Sequence, residues 1–123
     1  MKALSINQPF ASLIAQGDKR TEHRSWQTAY RGTLIICATA KPVITIEKEL
    51  LPYRVALCTV FLASIKKIKN GFSWQLKSPR PILPVFVNGA QHIFNLNIKL
   101  EFLPQNCDHI TLFNDLLSKK LIR

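Results

Sequence analysis

The sequence predicts an α+β domain: a small mixed β-barrel of about five or six strands, with two or three helices packed beside it. Three observations predict it. Short apolar, β-branched runs recur along the chain, as in Thr33–Ala40 (TLIICATA) and Val55–Ile65 (VALCTVFLASI). Turn residues separate them, among them Gly32, Pro42, Asn70-Gly71 and Asn88-Gly89. Helical spacing of apolar residues appears in only a few short stretches, so helices are the minority element.

In chain order, Lys2–Ile6 is a strand candidate ended by Asn7-Gln8-Pro9. Proline suits the first helical position, where its missing N–H costs nothing. Phe10, Leu13 and Ile14 then recur at helical spacing, and Gly17 offers a left-handed stop. Arg20–Arg24 reads as a short strand with Arg20, Glu22 and Arg24 on one face and Thr21 and His23 on the other. Lys19 falls on the second face if the strand already includes it, and can meet Glu22 only if it is still in the turn. Trp26–Gly32 is a polar, aromatic turn.

Thr33–Ala40 is apolar on both faces and so a central strand. Ile44–Leu51 is a short helix candidate with Thr45 as its cap and Pro52 beyond its end. Val55–Ile65 leads into a basic turn, Lys66 to Gly71, where Asn70-Gly71 is the strongest hairpin signal. Phe72–Leu76 follows, with Phe72, Trp74 and Leu76 on one face. Ser78-Pro79-Arg80-Pro81 breaks it, and Ile82–Val87 resumes as an edge strand carrying Pro84. Ile93–Phe102 alternates apolar and polar, and Asp108 caps a last amphipathic helix, His109–Lys120. The barrel occupies residues 1–102, and 103–123 form a helical extension of the same domain.

Composition narrows the function. Seventeen Lys and Arg against seven Asp and Glu leave a charge of +10, which favours polyanions and nucleic acid first among them. With 47% hydrophobic residues the chain is a folded domain and not a basic tail. Cys37, Cys58 and Cys107 form no CxxC pair, so neither a zinc site nor a disulfide framework is indicated, and neither a metal nor another cofactor is expected. The N-terminus lacks a signal-peptide apolar region, and no apolar run approaches the roughly 20 residues of a membrane span. The expected location is cytoplasmic.

The densest chemistry lies in Gly17–Trp26. Lys19 and Arg24 can clamp a phosphate, the latter with two parallel hydrogen bonds. Glu22 can accept from the exocyclic amine of a base or act as a general base, and His23 as an acid–base group. Against this stands an ion pair of Glu22 with Arg24 or Arg31 that merely braces the fold. Trp26 is the better candidate for stacking on a base, with Tyr30 beside it, because Trp74 alternates with core residues. Lys66, Lys67 and Lys69, with Arg80, extend a phosphate track.

Several of these residues together resemble a known family. Ser5-Ile6-Asn7-Gln8-Pro9, then Gly17-x-Lys19-x-x-Glu22-x-Arg24-Ser25-Trp26, then Tyr30-Arg31-Gly32 are similar to the ASCH domain, whose defining string is G-x-K-x-x-E-x-R. Trp74-x-Leu76-x-x-Pro79-Arg80-Pro81 and Val87-x-Gly89 resemble its late strands. The resemblance implies a PUA-like barrel, a cleft lined by the motif, and a role with RNA or single-stranded nucleic acid, in which Ser5, Gln8, Tyr30 and Arg31 join Lys19, Glu22, Arg24 and Trp26 as ligand-binding candidates. It leaves open a hydrolase reading, since some members are ribonucleases and a small bacterial subgroup deacylates N4-acetylcytidine. In that subgroup a Thr stands three residues after the Lys; here the position is Glu22. His23 and Cys37 stand where the family often has Asn and His. A third reading is a phage or mobile-element protein that grips an acidic protein partner. Partners are therefore nucleic acid, RNA before DNA, a nucleotide-sized ligand in the cleft, and no membrane.

Overall fold

The computed structural model describes residues 1–119. Its elements are β1 (Lys2–Ile6), α1 (Phe10–Ala15), β2 (Thr21–Arg24), β3 (Gly32–Ala38), β4 (Val55–Ile68), β5 (Gly71–Phe86), β6 (Ile93–Asn95) and α2 (His109–Ser118). The strands form one six-stranded sheet in the order β2-β5-β4-β3-β1-β6, with β1 and β3 parallel and the other neighbours antiparallel. The architecture is α+β as expected, but among the described residues no pairing joins β2 to β6, so the hydrogen-bonded barrel is not closed.

The sheet nevertheless curls. β2 and β1 are four strand spacings apart in the order, roughly 19 Å in a flat sheet. Yet the Arg24 guanidinium on β2 donates to the Ser5 carbonyl on β1 at 2.9 Å. The curl brings the two ends of the sheet together and leaves a seam between them.

β3 sits at the centre and is buried on both faces, as its unbroken apolar run predicts. Leu34, Ile36 and Ala38 pack with Leu4, Ile6, Trp74 and the buried side of α1. Ile35 and Cys37 face the other way, against Ala3, Ala56 and Ile82. That second face is covered by Phe94, Leu96, Ile98 and Leu100. The alternation of 93–102 therefore has its expected packing role, although only Ile93–Asn95 forms a ladder strand and Phe102 makes a single bridge to Ile82. α2 seats Phe113 against Val55, with Leu116 and Leu117 beside it. Asp108 caps it, accepting from the Ile110 and Thr111 amides and the Thr111 hydroxyl. The predicted Lys120, Leu121 and Arg123 lie outside the described residues.

Three expectations are corrected. Ile44–Leu51 is not a helix: Thr45 N–H donates to the Glu49 carbonyl, Leu51 N–H to Val43, and Ile44 bridges Leu50. The Thr45 hydroxyl accepts from Glu49 N–H, a local bond that offers this short, β-branched segment a turn instead. Nor does Ser78–Pro81 end a strand. β5 runs through Pro79, Pro81 and Pro84, and its pairing with β4 shifts register three times. Such bulges bend the strand and accommodate residues that cannot donate. Phe10, counted on the buried face of α1, is about half exposed, while Ala11, Ser12, Ile14 and Ala15 are buried.

Candidate functional site

The end of α1 decides where Lys19 points. Gly17 takes φ 83°, and the Gly17 and Asp18 amides donate to Ile14 and Leu13 carbonyls, closing the helix in a Schellman turn. Lys19 N–H also donates to Leu13, so Lys19 is still part of that turn and β2 begins only at Thr21. Strand alternation therefore does not separate Lys19 from Glu22. The Lys19 ammonium stands 4.0 Å from Glu22 Oε1 and 5.5 Å from the Phe10 ring centre.

On β2, Glu22 is registered opposite Trp74 and Arg24 opposite Phe72, so both charged side chains point to the face that α1 covers. Charge on a core-directed face must be paired. Arg24 Nη2 meets Glu22 Oε2 at 2.9 Å and also reaches Ser5 O, and only 12% of the Glu22 side chain is exposed. The expected Glu22–Arg24 pair is thus present, while Arg31 spends its guanidinium on the Thr28 and Tyr30 carbonyls. Two polar atoms in this cluster stay without a hydrogen-bond partner although buried: Ser5 Oγ and Arg24 Nε.

The seam opens as a cavity of about 850 Å³, floored by this cluster and walled by Asn7, Phe10, Thr39, Trp26 and the 90–92 segment. Trp26 is partly buried. Its ring meets Trp74 edge-on at 4.9 Å and the His92 ring at 4.7 Å, and its carbonyl accepts from the Trp74 indole. Trp74 itself is fully buried, as its alternation predicted. His23 lies at the rim, its Nε2 3.1 Å from the Asn70 carbonyl. That contact ties the cleft to the β4–β5 hairpin, where Lys66, Lys67 and Lys69 are exposed.

The structure thus brings Ser5, Lys19, Glu22, His23, Arg24 and Trp26 to one cleft, while Lys66, Lys67 and Lys69 lie on the adjoining hairpin and do not line it. Gln8, Tyr30, Arg31 and Arg80 do not line it. Gln8 is buried; its amide donates to Ser12 Oγ and Pro52 O, and its Oε1 accepts from Ser12 N–H, capping α1 from one residue before the proline. Tyr30 O–H donates to Thr33 O, and the Arg80 guanidinium lies 3.7 Å over the Phe102 ring.

Sequence reasoning missed two histidines. His92 is far from the motif in sequence, and only its place after Asn88-Gly89 hinted at a loop. His109, buried at the start of α2, sits 3.1 Å from Ser12 Oγ. Burial holds its imidazole below its ordinary pKa, partly offset by the neighbouring Asp108 carboxylate. The same desolvation pushes Cys37 up to about 12, so this thiol is an inert core group. Among the described residues no three His, Cys, Asp or Glu side chains gather to hold a metal, and no helix is long and apolar enough to cross a membrane.

A basic α+β domain with a curled open sheet and a charged, aromatic-lined cleft at its seam is the class these observations define. The profile of the ASCH domain matches residues 4–103, and the chain belongs to that family. A segment of 38 residues, 31% of the chain, is 60% identical to activating signal cointegrator 1 of Homo sapiens and 58% identical to that of Mus musculus. The match spans only 6% of either relative. Among solved structures, two mutant forms of ZmASCH from Zymomonas mobilis share the fold at TM-scores of 0.61 and 0.60. Both are 15% identical; the alignments cover 95% and 96% of this chain and 96% and 94% of theirs.

Proposed function

We propose that this domain binds single-stranded nucleic acid, RNA before DNA, holding a base and its phosphate in the seam cleft around Gly17-x-Lys19-x-x-Glu22-x-Arg24. The convergence of Lys19, the Glu22–Arg24 pair and the Trp26–His92 aromatic pair on one cleft carries this reading. Lys19 is the cation for phosphate, because its contact with Glu22 is long and it is the more exposed of the two cations. Glu22, held by Arg24, accepts from a base amine, and Trp26 offers a ring edge and face for stacking. The hairpin lysines carry the strand away from the cleft. Membership of the ASCH family agrees with such a role without specifying it. Three free thiols suit a reducing compartment such as the cytoplasm.

The test is a titration with single-stranded RNA at several salt concentrations. Affinity is expected to fall steeply and linearly in log–log form, by about 0.7 units of slope per phosphate engaged. Tight binding that ignores salt contradicts the proposal.

A second reading, hydrolysis of RNA or of an acylated nucleoside, is favoured by the approach of Lys19 to Glu22 inside a cavity of small-molecule size. Thr21 is exposed and does not line the cleft, so the nucleophile would be water and not a Thr hydroxyl. Turnover of total RNA or of N4-acetylcytidine that is lost in Glu22→Gln supports it; no turnover of either removes it.

A further inference from the structure

Beside the seam cleft lies a second cavity of about 460 Å³, and the two share Ser5, Thr39, Ala90 and Gln91 as lining. The first alone is near the upper end of the roughly 300–1,000 Å³ that one small ligand fills. The joint space therefore exceeds what a single nucleotide needs. The neck between them is set by Gly89: a Cβ there would stand 2.7 Å from Ser5 Oγ, so only a bare glycine lets this segment pass so close.

At the far end of the second cavity stands Arg54. Its backbone is in the left-handed region at φ 56°, which L side chains seldom adopt. Two hydrogen bonds hold it there, Arg54 N–H to Thr39 O at 3.0 Å and Val87 N–H to Arg54 O at 3.2 Å. The guanidinium is exposed, donates to Asn88 Oδ1 at 3.3 Å, and has no acidic partner among the described residues. The contrast with the seam is one of charge. There Lys19 and Arg24 share the carboxylate of Glu22, whereas Arg54 keeps its full charge for something outside the chain. His92, at the other end of the same 88–92 wall, is also left-handed, at φ 60°, and sets its ring against Trp26 at a tilt of 57°. The wall is thus bounded by two backbone outliers that deliver side chains to opposite ends of one trough. Such outliers persist where the surroundings enforce them, often at ligand-binding segments.

We propose that the trough holds two consecutive nucleotides of a single strand. The first base lies against Trp26 and His92, and Arg54 takes the phosphate of the following nucleotide, whose base meets Asn88. This rests on the nucleic-acid reading of the cleft and specifies its ligand as at least a dinucleotide.

The experiment compares binding of a ribomononucleotide and of a ribodinucleotide with a 3′-phosphate by the full chain, in wild type, Arg54→Gly, Arg54→Lys and Lys19→Ala. Glycine suits φ 56°, so Arg54→Gly removes the guanidinium without straining the fold. The dinucleotide is expected to bind wild type about tenfold or more tighter than the mononucleotide, as one charged hydrogen-bonding contact provides. Arg54→Gly is expected to erase that gain and leave the mononucleotide unchanged, with Arg54→Lys regaining part of it. Equal affinity for the two ligands, or an Arg54→Gly effect that is absent or the same for both, overturns the second subsite. If the mononucleotide still binds and depends on Lys19, only this inference falls. If neither ligand binds, the nucleic-acid reading falls with it.

Discussion

Two polar clusters grow from the same stretch, Ser5–Ser12, and they are built in opposite ways. Gln8, Ser12 and His109 are all nearly fully buried and satisfy one another, with Pro52 O completing the set. Ser5, Glu22 and Arg24, only three residues away in sequence at Ser5, line the cleft and leave Ser5 Oγ and Arg24 Nε buried without a partner in its wall. A closed network rigidifies the fold, here by locking α1 to α2 and to the loop before β4. An incomplete network is a cost that a ligand can relieve. Polarity alone therefore does not mark a site; unfinished hydrogen bonding in the wall of a cavity does.

Removing the centre of the closed network should have the largest effect. Ser12→Ala takes one of the Gln8 amide's two acceptors and leaves the buried His109 Nε2 without its partner, and should cost about 2–3 kcal/mol in urea denaturation. Affinity for single-stranded RNA should hardly change. An equally large loss from Ser5→Ala would erase the distinction between the clusters.

Lys19→Ala should do the reverse. Its long, partly exposed contact with Glu22 is worth only about 0–1 kcal/mol to stability. Affinity for RNA, measured by fluorescence anisotropy, should fall about tenfold or more.

His109 gives the closed cluster a pH dependence. Its folded pKa lies below the ordinary 6.5, because burial disfavours the charged ring. Between that folded value and 6.5 the unfolded chain binds more protons, so stability should decrease as pH drops through about 6.5 and level off below the folded pKa. The N-cap Asp108 is also held low. Burial opposes this but is outweighed by bonds from the Thr111 side chain and the Ile110 and Thr111 amides, and its contribution is lost only on acidification below about 3.8. Denaturation curves of His109→Gln across pH 5–7.5 should show a smaller change, since the slope in that window comes from the ring.

The smallest effect on stability belongs to Ser5→Ala. A buried, unpartnered hydroxyl contributes no internal bond and carries a desolvation cost, so stability should not fall in denaturant titration, while RNA affinity should weaken measurably.

Much of this was legible in the sequence where local chemistry decides. The double-faced burial of β3, the Gly17 helix stop, the Asp108 cap and the core position of Trp74 follow from apolar pattern and capping chemistry. The motif residues from Lys19 to Trp26 were also legible as a group. What was not legible depends on distant partners. Pro79 and Pro81 read as a strand break, because nothing local says that β5 will bulge against β4 and so keep its pairing past them. Gln8 read as a ligand contact, and its capture by Ser12 and Pro52 is visible only once α1 is folded. His92 comes to the cleft, and Arg54 to the cavity beside it, from loops far from the motif. Even the meeting of Lys19 with Glu22 hung on one backbone detail, the Leu13 carbonyl that keeps Lys19 in the turn.

The most direct test of the comparison is an NMR titration of the labelled protein with a short single-stranded RNA, following side-chain and backbone signals together. The account predicts shifts at Ser5, Lys19, Trp26 and His92, including the Trp26 indole N–H, with the Gln8 side-chain amide and the His109 ring left in place. Shifts centred on Gln8 and His109, or confined to surfaces away from the seam, would contradict it.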